Sequence, residues 1–63
     1  MITKRKILKD IKSKAYSKYF VWVVSKEIKY YDMSLLYLEL YCEYANKSYV
    51  DERTKMRKNY ETN

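Results

Sequence analysis

The sequence predicts an all-α protein, a compact three- or four-helix domain able to dimerise, and three observations carry that prediction. Glycine and proline are both absent from the 63 residues. Tight two-residue hairpin turns draw on glycine or asparagine at positive φ, whereas helix connections accept asparagine, aspartate, serine or lysine. Apolar residues recur at three- and four-residue spacing in most of the chain. Finally, Thr3 and Ser48 each stand where a helix would need a capping oxygen. The length allows a single domain over 1–63, with ends expected to fray at 1–3 and 60–63.

The first element is read from "TKRKILKDIKSKAY", where Ile7, Leu8, Ile11 and Ala15 form a helical stripe between lysines. Lys4, Arg5 and Lys6 fall in its first turn, where the helix dipole disfavours positive charge. The second, Ser17 to Tyr31, gathers Tyr16, Tyr19, Phe20, Val23, Tyr30 and Tyr31 on one broad face with Glu27 embedded in it. Trp22 falls on the other side, with Lys18, Lys26 and Lys29, in line with Ile7, Ile11 and Ala15. One straight helix would have its apolar stripe change side midway. A break between Ser13 and Ser17 is therefore expected, because serine offers the backbone competing hydrogen bonds. The alternative is an α+β fold with a hairpin at 19–31, since Tyr19, Phe20, Val21, Trp22, Val23 and Val24 all have good strand propensity.

The third segment, "YYDMSLLYLELYCEYANKS", is the clearest helix, capped at Asp32 or Ser34. Tyr37, Leu38, Tyr41, Cys42, Tyr44 and Ala45 cover its apolar face, flanked by Leu35 and Leu40, with Glu39, Glu43 and Asn46 opposite. In the last segment Ser48 precedes Asp51 by three residues, a variant of the capping box. Asp51 and Glu52 come early and Lys55, Arg57 and Lys58 late, an order that complements the dipole. Tyr49, Val50, Arg53, Met56 and Tyr60 make only a thin stripe.

A chain of this size buries only about 60% of its unfolded surface, so its core leaves a narrow surplus over ordering entropy. The single Cys42 excludes an internal disulfide. Self-association or partner binding remains as a source of further stability. No secretory signal or membrane-spanning run is read, since "YFVWVV" is far short of the roughly 20 residues a bilayer requires. An unpaired cysteine fits a reducing compartment, and a cytoplasmic location is expected.

Enzyme activity is not expected. Histidine is absent, so the commonest acid–base group near neutral pH is missing. Glu39 and Glu43 lie one turn apart without further ligands and read as a solvated face. Cys42 has apolar neighbours and reads as a buried thiol. No cofactor or metal is expected.

Charge is the informative property. Fourteen basic residues face eight acidic ones, a net +6. Lys4, Arg5, Lys6, Lys9, Lys12, Lys14 and Lys18 crowd the first third, and Arg53 and Arg57 add to the last. Such clusters suit phosphate, because each contact releases a condensed counterion. Lysine outnumbers arginine, which favours phosphate positioning over bidentate base reading. The expected function is a small non-enzymatic regulatory protein that binds DNA or RNA through these residues. The alternative is an inhibitor or adaptor that meets an acidic protein through Tyr19, Trp22, Lys26 and Lys29, because tyrosine and tryptophan anchor interfaces.

Overall fold

The computed structural model describes residues 3–61. These form three helices, α1 (Lys4–Ser25), α2 (Ile28–Ala45) and α3 (Tyr49–Tyr60). Among the described residues there is no strand, so the hairpin at 19–31 does not form. The all-α three-helix reading holds. No helix among these residues is long and apolar enough to cross a membrane.

The expected break between Ser13 and Ser17 is corrected: α1 runs uninterrupted through both serines. The change of stripe has a tertiary cause, because α1 packs against two neighbours at once. Trp22 faces α2, its ring 5.4 Å from that of Tyr31. Tyr16, Tyr19 and Phe20 meet the Tyr60 ring of α3 at 6.3, 5.5 and 5.9 Å. Two partners at different angles leave two stripes on one rod.

The chain turns instead at Lys26 and Glu27. Lys26 takes the left-handed conformation, φ 63°, and its N–H donates to the Trp22 carbonyl at 2.7 Å. A residue with a Cβ pays about 1 kcal/mol or more there relative to glycine. Ser25 Oγ then accepts from the Glu27 N–H at 3.3 Å. The start of α2 thus lies at Ile28, ahead of the expected caps at Asp32 or Ser34. Ser34 is fully buried mid-helix, where its hydroxyl donates to the Tyr31 carbonyl at 2.7 Å. Asn46, φ 58°, closes α2, and the Lys47 N–H donates to the Cys42 carbonyl at 3.0 Å.

Two side-chain caps follow the sequence reading. Thr3 Oγ1 accepts from the Lys6 N–H at 3.2 Å, and Ser48 Oγ accepts from the Asp51 N–H at 3.4 Å. The expected fraying at 1–3 and 60–63 falls partly on residues 1, 2, 62 and 63, outside the described residues. Tyr60 itself is helical, and its hydroxyl donates to the Tyr16 carbonyl at 3.1 Å across 44 residues of chain.

Ala15, Tyr19, Leu38, Tyr41, Cys42 and Met56 form the core. The expected apolar face of α2 packs inward at Leu38, Tyr41 and Cys42, with Tyr37 and Ala45 partly buried against them, whereas Tyr44 and the flanking Leu40 are exposed. On α3 Met56 is buried as expected, whereas Val50 and Arg53 are exposed. Glu52 is only 5% exposed, with Lys55 Nζ 3.4 Å from its Oε2.

Candidate functional site

Antiparallel packing of α1 and α2 brings the N-terminal end of α1 beside the C-terminal end of α2. Between them lies an open groove of about 520 Å³. Lys4, Arg5, Lys9 and Lys12 line it from α1, and Lys47 lines it from the connection after α2. Leu8 and Ala45 supply apolar wall, and Tyr41 and Tyr44 add two aromatic rings. Among the described residues none of these five cations is in an ion pair.

The positions differ in their electrostatics. Lys47 follows a helix C-terminus, where backbone carbonyls favour a cation. Lys4 and Arg5 sit in a first turn that contains no acidic residue, so dipole and side chains repel. An anion in the groove would relieve that repulsion. The Lys12 ammonium rests 5.8 Å from the centre of the Tyr16 ring and 5.7 Å from that of Tyr41, which holds it against the wall. Tyr44 is 57% exposed, and none of the ring–ring or cation–ring pairs among the described residues involves it.

The remaining expected phosphate contacts lie elsewhere. Lys6 shares the outer face of α1 with Asp10 and Ser13. Lys14 pairs with Asp10 at 3.6 Å, and Lys18 reaches the Tyr30 ring at 5.9 Å. Arg53 and Arg57 line a separate crevice of about 210 Å³ with Tyr19, Tyr31 and Leu35. There Arg53 lies 5.5 Å from the Tyr49 ring and Arg57 pairs with Glu61 at 3.5 Å. Four of the nine expected residues therefore converge. The sequence reading missed Lys47, Tyr41 and Tyr44, which join Lys4 and Arg5 only through the antiparallel fold.

The expected protein-binding group is also divided by the fold. Tyr19 is 8% exposed and belongs to the core. Trp22 is half-buried against Tyr31, with the Lys26 ammonium 5.8 Å from its ring. Lys29 is exposed beside the Tyr30 ring at 5.1 Å. Trp22 is thus mainly a packing residue.

Burial pushes the Cys42 thiol above its ordinary value, and the nearby Glu52 carboxylate adds to the shift. A thiol held neutral is a poor nucleophile. Burial likewise raises the phenols of Tyr16 and Tyr19, helped by Glu52 and Tyr31 respectively. Among the described residues no three His, Cys, Asp or Glu side chains are grouped to hold a metal. Comparison of the chain with protein-family models, curated proteins and solved structures gave no match.

Proposed function

We propose that the protein binds nucleic acid through phosphate contacts in the groove between the start of α1 and the end of α2. The supporting observation is the convergence there of Lys4, Arg5, Lys9, Lys12 and Lys47, none engaged in an ion pair among the described residues. Cations on flexible stems suit a backbone of repeating negative charge and read no base by themselves. The exposed Tyr44 ring offers a face on which a base can stack without sequence preference. The role is occupancy of the polymer, with no bond made or broken, as suits a small regulatory protein.

Fluorescence anisotropy with labelled single- and double-stranded oligonucleotides, over a range of salt concentration, tests this reading. Five phosphate contacts correspond to a slope of log affinity against log salt of about −3.5 on a single strand and about −4.5 on a duplex. Absence of binding at low salt to both DNA and RNA would refute it. The acidic-protein alternative then gains, although the fold removes Tyr19 from its surface.

A further inference from the structure

The outer face of α2 carries an apolar strip, half-buried at Met33 and exposed at Leu36, Leu40 and Tyr44 among the described residues. Met33, Leu36, Leu40 and Tyr44 follow one another at three- and four-residue spacing and lie within roughly 80° of arc. Leu36 is 67% exposed and Leu40 39%. The strip has flanks of opposite charge. Asp32, Glu39 and Glu43 occupy one edge within roughly 40° of arc, all exposed, and none of them is in an ion pair among the described residues. On the other edge α1 brings the ammonium groups of Lys18 and Lys12 to the rings of Tyr30 and Tyr41, at 5.9 and 5.7 Å.

The molecule is also too open for its mass. It exposes 4984 Å² at 7.8 kDa, against about 4,400 Å² for a compact monomer of that mass. Its radius of gyration is 11.8 Å, against about 10.6 Å for a compact chain of this length. The excess of roughly 600 Å² accompanies an elongated shape, 36 × 21 × 19 Å, that leaves the length of the outer α2 face open.

We infer that a second copy of this chain covers the α2 strip, in a two-fold dimer whose α2 helices run parallel. The charged edges set the direction, against the like-charge contact of Lys29 with its copy at the start of the seam. With the two-fold axis along α2, each acidic edge lies over the lysine edge of the partner. With the axis across α2, acid would face acid and lysine would face lysine. The spacing from Met33 through Leu36 to Leu40 resembles the seam of a short two-stranded coil, with the flanking charges in the place of its orienting pairs and the Tyr44 ring left at its open end beside the groove. A parallel dimer also sets both basic grooves at one end of the assembly, so one polyanion can engage both through Lys4, Arg5, Lys9 and Lys47, with Lys12 turned to the seam.

Sedimentation equilibrium of the full chain from micromolar to millimolar concentration should show a reversible dimer. Leu36→Glu with Leu40→Glu should raise its dissociation constant by about 100-fold or more, because two carboxylates would be buried unpaired. Glu39→Lys with Glu43→Lys should raise it about 10-fold. Circular dichroism verifies that the helices persist. Lys29→Cys supplies an independent readout, since position 29 lies in the middle of the outer face near one end of α2. Parallel helices bring two such thiols together, and mild oxidation should give a covalent dimer. A monomer at all concentrations overturns the inference, as does a dimer indifferent to the Leu36/Leu40 pair. A dimer that leaves Lys29→Cys unlinked overturns the parallel arrangement.

Discussion

The two ends of the α1–α2 pair draw on the same residue types, tyrosine and lysine, and use them in opposite ways. At the end where α1 finishes and α2 begins, rings cover rings. Tyr19, Tyr31 and Trp22 pack together, and Tyr60 arrives from α3 to close the side. Lysines there lie over aromatic faces, as Lys26 does over Trp22. At the other end α3 is only beginning, and no ring covers Tyr44 among the described residues. Five cations surround the groove it helps to line. Aromatic and basic composition therefore does not distinguish a core from a binding surface in this chain. What distinguishes them is whether a third helix arrives to bury the rings.

Three variants probe that contrast. Tyr19→Ala should have the largest effect, because its ring joins all three helices at the closed end. The loss is about 3 kcal/mol, as for other large aromatic truncations. A core of this size supplies a surplus of only about 3–5 kcal/mol, so about 0–2 kcal/mol remains and urea denaturation should find the midpoint shifted close to zero denaturant. At the open end, Arg5→Gln, Lys9→Gln and Lys47→Gln combined should leave the urea midpoint nearly unchanged, since all three side chains are exposed. The salt slope for polynucleotide binding should shrink by about 2 to 3. An unaltered slope would place the phosphates elsewhere. Tyr60→Phe should have the smallest effect, removing one hydroxyl and its bond to the Tyr16 carbonyl while retaining the ring. About 1 kcal/mol is expected, measured by the same denaturation. If Tyr60→Phe were as damaging as Tyr19→Ala, the hydrogen bond rather than ring packing would hold α3.

Much of the fold was legible because its signals are local. Thr3 and Ser48 cap their helices from three residues away, as their positions ahead of each helix predict. The end of α1 was not legible. Serine at positions 13 and 17 is tolerated in a helix held by packing, whereas Lys26 has no intrinsic preference for positive φ. The candidate site was half legible: the α1 cations are dense enough in sequence to be noticed. Lys47 and Tyr44 carry no sign of belonging with Lys4 and Arg5, about 40 residues earlier.

The sequence by itself determined the helical class, the caps at Thr3 and Ser48 and the basic balance of the chain. Each depends on chemistry within a residue or on interactions spanning one helical turn. Tertiary structure alone decided that α1 is continuous, that Trp22 packs while Tyr44 stays uncovered, and which lysines meet. Those outcomes depend on contacts between residues tens of positions apart. A rod that packs against two neighbours carries two stripes, and periodicity along one strand of text cannot separate that from two rods.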